Sequence, residues 1–264
     1  MKRYEQLPRL VAGLACLLMP TLACAQAQPA CKAPNELIRL IQPLAHTAQR
    51  LATFEPLKIV AIGSSSTAGA GASSPAASYP SRLAAELKEQ FPGHPITVIN
   101  RGVNGEEARD MLTRFPAQVI DEKPDLVLWQ VGTNSVLRDY PLAPTNPIIL
   151  EGVRELKEIG ADVVMIDPQF APRVIAKPDA EAMVTLISRA AKEANVDLFQ
   201  RFATMRYWRE AEHLPFSAFV TPDDLHMNDW GYGCLAKLLG TAIAEAATRG
   251  VASAQAHAAQ RTVP

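Results

Sequence analysis

Thr221-Pro222-Asp223-Asp224-Leu225-His226 places a carboxylate three residues before an imidazole. On a tight turn, that carboxylate holds the ring in one tautomer and one orientation. A histidine held this way is a ready general base for a serine hydroxyl. A candidate serine lies far upstream, in Ile62-Gly63-Ser64-Ser65-Ser66-Thr67, directly after an apolar run. Between them stand Asn100-Arg101-Gly102-Val103-Asn104-Gly105 and Gly132-Thr133-Asn134, each after another apolar run.

A serine hydroxyl is a weak nucleophile until a base takes its proton. At a strand-to-helix turn its oxygen is exposed, and nearby N–H groups point toward developing negative charge. A glycine lets backbone N–H groups approach a ligand closely. An asparagine amide donates to an oxyanion without carrying a charge. Each motif has a plainer use as a small-residue turn, a helix cap or an Asx-turn. All four together, each after the expected element, point to acyl transfer through serine.

Over roughly residues 57–248 the chain resembles the SGNH, or GDSL-like, hydrolase superfamily, which is named for four such blocks. Gly63-Ser64-Ser65 matches the first block, with Ser65 at the nucleophile position. Gly102 matches the second and Asn134 the third. Asp223 and His226 match the last, as orienter and base. The resemblance implies an oxyanion hole built from the Ser65 N–H, the Gly102 N–H and the Asn134 amide, with no cofactor and no metal. Two positions depart from the pattern: Ser64 and Ser135 stand where that superfamily often has Asp. Ser64 and Ser66 therefore stay as weaker nucleophile candidates, and Asp224 as an alternative orienter.

The elements that must position these residues are legible as alternating apolar runs and amphipathic stretches. Strands are expected at 57–62, 96–100, 126–131, 162–166 and 196–199. Helices are expected at 79–91, 106–120, 147–159, 180–194 and 231–247. A further helix over 35–52 carries Pro43, which should kink or interrupt it. Strands alternating with helices predict an α/β fold: three layers, α/β/α, around a five-stranded parallel sheet, flavodoxin-like in the superfamily it resembles. In such sheets chemistry sits beyond the carboxyl ends of the strands, where all four motifs fall.

The chain has 264 residues and a net charge of −1, with no basic run to grip nucleic acid. Lys2, Arg3 and Arg9 precede the apolar stretch Leu10–Ala23, and Ala23-Cys24-Ala25 offers a small-x-small cleavage site. This is the layout of a secretory signal peptide, with acylation of Cys24 as a lower-ranked option. The expected organisation is a signal peptide over 1–25, an extension with a helix over 26–56, a hydrolase domain over 57–248 and a flexible tail over 249–264. After cleavage, Cys31 and Cys234 would remain in an oxidising compartment, where a disulfide between them is expected. The protein would then be periplasmic or secreted, without stable membrane insertion.

No Gly-x-Ser-x-Gly elbow is present, and His46, His94, His213 and His257 show no metal-ligand spacing. Arg206, Tyr207, Trp208 and Phe216 could line an acyl pocket, stack on a sugar or simply pack in a helix. Trp129 is expected in the core and Trp230 beneath the site. The proline-bearing loop 138–146 is expected on the rim. The expected function is an exported serine esterase, acting on a small-molecule or glycan ester and deacetylating carbohydrate. The alternatives are a lysophospholipase or thioesterase, or a non-hydrolytic carbohydrate-binding or acyltransferase relative.

Overall fold

The computed structural model describes residues 28–261, the last turns of the final helix by backbone alone. The chain divides into two units, Met1–Ala30 and Cys31–Pro264. Residues 28–30 of the first are irregular. The signal segment expected over 1–25, with Cys24, lies outside the described residues.

Five apolar runs become five parallel strands: β1 (Leu57–Gly63), β2 (Ile96–Gly102), β3 (Leu126–Gln130), β4 (Asp162–Ile166) and β5 (Asp197–Phe199), in the order β2-β1-β3-β4-β5. Every residue of β3 is buried, as a strand covered on both faces requires. Helices α2 (Ala45–Thr53), α4 (Tyr79–Gln90) and α11 (Asp229–Arg261) pack together, as do α5 (Ala108–Phe115), α7 (Thr145–Glu158) and α9 (Ala180–Ala194). The expected three-layer α/β/α architecture is therefore the observed one, with flavodoxin-like strand order. In that order the connections reverse between β1 and β3, which opens a crevice above their carboxyl ends. Trp129 is wholly buried in β3, edge-on to Phe115, as expected of a core residue.

The N-terminal helix is interrupted, as expected, into two pieces, α1 (Asn35–Ile38) and α2. Pro43 breaks the helix between them, and the freed N–H groups of Ile41 and Gln42 donate to Asp197 Oδ1. The 106–120 helix begins at Ala108 and widens into a π turn from Pro116, whose missing N–H interrupts the regular ladder. Finally, α11 runs to Arg261 instead of ending near 247, through the stretch expected as a tail. The alanine-rich sequence there favours helix over coil.

The segment before the sheet is anchored away from the site. Asp162 at the start of β4 accepts from Thr47 N and Thr47 Oγ1 at 2.8 Å each, and Arg50 Nε reaches Asp125 at 2.7 Å. Cys31 is disulfide-bonded to Cys234 of α11, across a separation of 203 residues. Replacing both cysteines with alanine is expected to lower unfolding free energy by up to about 5 kcal/mol, read by urea titration. Ester turnover by the folded variant should be unchanged, because neither cysteine is bonded to Ser65, Asp223 or His226.

Candidate active site

β1 ends at Gly63 and the chain turns into the short helix α3 (Ser65–Ala68). The three adjacent serines face different ways. Ser64 is buried, and its N–H and Oγ each donate to Gln130 Oε1 at 3.0 Å. Ser66 is buried and its Oγ donates to Gln169 Oε1 at 3.4 Å. Only Ser65 is partly exposed, and its Oγ lies 2.8 Å from His226 Nε2. The Ser65 N–H opens the helix, so it has no intrahelical acceptor.

The Asp/His turn is closed by an antiparallel bridge between Val220 and Met227. Asp223 Oδ1 accepts from Thr221 Oγ1 at 2.6 Å and from the N–H groups of Leu225 and His226 at 2.9 Å. Its Oδ2 accepts from His226 Nδ1 at 2.5 Å. Partial burial alone would raise the Asp223 carboxyl, but the hydrogen bonds from Thr221, the His226 ring and the backbone outweigh it. They hold the group well below the usual carboxylate range. With Nδ1–H given to a carboxylate, Nε2 presents its lone pair to the Ser65 hydroxyl. Asp224 is exposed, in left-handed backbone at φ 59°, and makes no bond to the ring. Its carbonyl instead accepts from Arg173 N at 3.0 Å.

Gly102, expected as an oxyanion donor, has another use. Its N–H donates to Asn100 Oδ1 at 2.9 Å. A Cβ at Gly102 would lie 2.1 Å from Ala68 N, so the glycine lets β2 pass against the serine turn. The unengaged backbone donor is three residues on. Gly105 sits at φ +80°, which favours glycine, and its N–H has no acceptor among the described residues. Asn134, near the start of α6 (Thr133–Leu137), donates one amide hydrogen to Glu106 O at 2.7 Å. That bond sets its side chain beside the Gly105 loop.

Sequence reasoning missed two glutamines that assemble the site. Gln130 closes β3 and holds Ser64. Gln169 follows β4 and joins three segments: Oε1 accepts from Ser66 Oγ and from Thr133 Oγ1 (2.9 Å), and Nε2 donates to Leu225 O at 3.3 Å. It is 1% exposed, so these bonds have no water to replace them. A Gln169→Ala change is expected to lower kcat for p-nitrophenyl acetate about tenfold to hundredfold, with KM within about twofold. Lost stability with unchanged kcat would reduce Gln169 to packing.

The same loop begins with Asp167, wholly buried. Its Oδ1 accepts from Phe202 N at 2.8 Å, and its carbonyl accepts from Arg201 Nε at 2.8 Å. Burial pushes the Asp167 carboxyl up to about 7, against the opposing pull of the Phe202 N–H and Arg201. A raised carboxyl keeps its proton when folded and loses it when unfolded. Its contribution is therefore full below the ordinary carboxylate range and lost as pH rises through about 7. Between those limits, the wild type should lose stability relative to Asp167→Asn. Parallel melting curves for the two proteins across that range would contradict this.

The aromatic segment before the turn proves to be packing. Trp208 is buried against Phe219 and Trp230, and its Nε1 donates to Lys32 O at 3.0 Å. Tyr207 donates to Glu212 and Phe216 stacks on Phe170. Among the described residues no cluster of His, Cys, Asp and Glu could hold a metal, and no helix is long and apolar enough to cross a membrane.

A parallel α/β/α sheet with a Ser–His–Asp contact at its carboxyl edge defines a hydrolase-type scaffold. The chain belongs to the Non-GDSL lipase-like family, whose model matches residues 30–249. This corrects the expected membership of the SGNH/GDSL-like superfamily: the matching family is named as distinct from it. Ser64, which is bound to Gln130, stands where the other pattern often has an aspartate.

Among curated relatives, an arylesterase of Vibrio mimicus is 30% identical over 125 residues, 47% of this chain and 61% of that one. An acetylxylan esterase of Geobacillus stearothermophilus is 39% identical over 56 residues, 21% of this chain and 26% of that one. The chain thus spans less than two thirds of either relative's length. Solved structures of an acetylxylan esterase from Geobacillus stearothermophilus that the fold resembles include catalytic mutants at a serine, an aspartate and a histidine. The crystal structure of a two-domain esterase active on acetylated mannans superposes with a TM-score of 0.68 at 21% identity, covering 80% of this chain and 56% of that one. At that identity the likeness is one of fold. The sequence and structural neighbours are esterases, in keeping with cleavage of carboxylic ester bonds.

Proposed function

We propose that this chain is an exported serine esterase that removes small acyl groups, acetyl above all, from carbohydrate. The observation that carries the reading is the 2.8 Å contact between Ser65 Oγ and His226 Nε2, with Asp223 on the far side of the ring. His226 takes the Ser65 proton as Oγ attacks the ester carbonyl. The resulting oxyanion is met by the Ser65 N–H, the second Asn134 amide hydrogen and, in place of Gly102, the Gly105 N–H. His226 then protonates the departing alkoxide. Water, deprotonated by the same ring, attacks the acyl-enzyme and frees the acid and Ser65.

Relatives named for arylester, acetylxylan and acetylated-mannan substrates support the ester class and the acetyl preference. The Cys31–Cys234 bond supports an oxidising compartment, periplasmic or extracellular. In this reading residues 57–248 are the hydrolase domain, with 26–56 as an extension bonded to it.

Turnover of p-nitrophenyl acetate, butyrate and octanoate by wild type and Ser65→Ala tests the reading. Acetate should be preferred, and its turnover should vanish in the variant. An octanoate preference would overturn the acetyl assignment in favour of a lipid acyl hydrolase. An inert wild type would overturn the esterase itself.

A further inference from the structure

We infer that the cleft between the start of α5 and the loop joining α6 to α7 is a sugar-binding subsite, holding the alcohol half of the ester against Tyr140. The inference rests on the esterase reading and narrows its substrate to a neutral, polyhydroxylated leaving group.

The cleft has a volume of about 340 Å³, and its walls include Glu107, Arg109, Asp110, Ser135, Arg138 and Tyr140. That is the size of a small-molecule site. Two of its wall residues are chain neighbours of the oxyanion-donor segments. Ser135 follows Asn134 in the chain, and Glu107 follows Glu106, the residue whose carbonyl Asn134 holds. Arg138 Nη2 lies 3.4 Å from where a Cβ on Gly105 would be, so one guanidinium borders both the cleft and the Gly105 loop.

Its chemistry selects the ligand. Two acids and two bases share the walls with Ala108, Pro141, Pro144 and Ile148, and Glu107 pairs with Arg138 at 2.5 Å while accepting from Ser135 Oγ at 3.3 Å. The balanced charge favours neither an anion nor a cation. An alkyl chain would meet the apolar walls but would strip water from the charged groups and return no hydrogen bonds to them. A sugar ring returns them through its hydroxyls. Its C–H face suits Tyr140, an aromatic side chain left 49% exposed.

The platform is also held in place. Tyr140 N donates to Ser135 O at 2.9 Å, and Lys177 Nζ holds the neighbouring Asp139 at 2.5 Å. Pro141 and Pro144 stiffen the rim. With the backbone anchored, only the two side-chain torsions of the ring are left to order on binding. The other aromatic candidates, Trp208 and Phe216, are engaged in packing.

The test compares Tyr140→Ala and Tyr140→Phe on acetylated xylo-oligosaccharides and on p-nitrophenyl acetate. Tyr140→Ala should raise KM for the oligosaccharide about tenfold, while kcat and p-nitrophenyl acetate turnover stay within about twofold. Tyr140→Phe keeps the ring and should restore KM. An unchanged oligosaccharide KM in Tyr140→Ala, or a parallel loss on both esters, would overturn the subsite and leave the esterase standing. If wild type cleaves neither ester, the esterase reading fails, and calorimetry with unacetylated xylohexaose decides the subsite separately. Binding to Ser65→Ala that is lost in Ser65→Ala/Tyr140→Ala supports it; equal or absent binding in both refutes it.

Discussion

Replacing Ser65 with alanine is expected to lower kcat/KM for p-nitrophenyl acetate by about ten-thousand-fold or more, with little change in melting temperature. Loss of a nucleophile removes the covalent route entirely, and only the oxyanion donors and binding remain. Stability should hold within about 0.5 kcal/mol, because the side chain is partly exposed and its single partner is the His226 ring. The neighbouring serines make the prediction specific. Ser64→Ala loses one of the bonds to Gln130, whose carbonyl oxygen keeps the Ser64 N–H. Ser66→Ala loses a long bond to Gln169. Both should retain activity within about tenfold. A loss at Ser64 equal to that at Ser65 would place the nucleophile elsewhere.

The second large effect separates two adjacent acids. Asp223→Asn should lower kcat about ten-thousand-fold, whereas Asp224→Asn should stay within about twofold. The asparagine amide, held by the same turn, favours presenting a donor to Nδ1, which forces the tautomer that cannot accept the Ser65 proton. Asp224 is exposed and makes no bond to the ring, so its amide changes only surface charge. Because Asp223 is held well below the usual carboxylate range, the wild type should not lose activity through this group until strongly acidic pH. The sign follows from a depressed carboxyl: its contribution is present above the ordinary range and lost as pH falls through the lowered value. Equal losses in the two variants would leave the orienter unassigned to Asp223.

The fold was legible because β1, β3 and β4 are buried on both faces, and continuous apolar runs such as Leu126–Val131 advertise that, while the edge strand β2 is largely open. The Asp223/His226 turn was legible because both partners sit within one turn of chain. The choice among Ser64, Ser65 and Ser66 was not, since it depends on Gln130 and Gln169, which are 66 and 103 residues away. A lone glutamine ending an apolar run carries no sign of its distant partner. Gly102 was misread for a local reason that the sequence did contain. Asn100 stands two residues before it, and an asparagine side chain readily takes the N–H two positions on. The resemblance to a neighbouring superfamily drew attention to Gly102, whose N–H is already engaged, and supplied the wrong family name. Tyr207, Trp208 and Phe216 are aromatic in a segment near the site, yet tertiary packing absorbs them, while Tyr140 stays on the rim.

Peptide mapping after treatment with a fluorophosphonate reaches the central assignment most directly, since only an activated serine is phosphonylated. A single adduct on Ser65, absent in His226→Ala, is the outcome expected from an alkoxide made by that ring. Label on Ser64 or Ser66, or adduct formation that persists without His226, would contradict it.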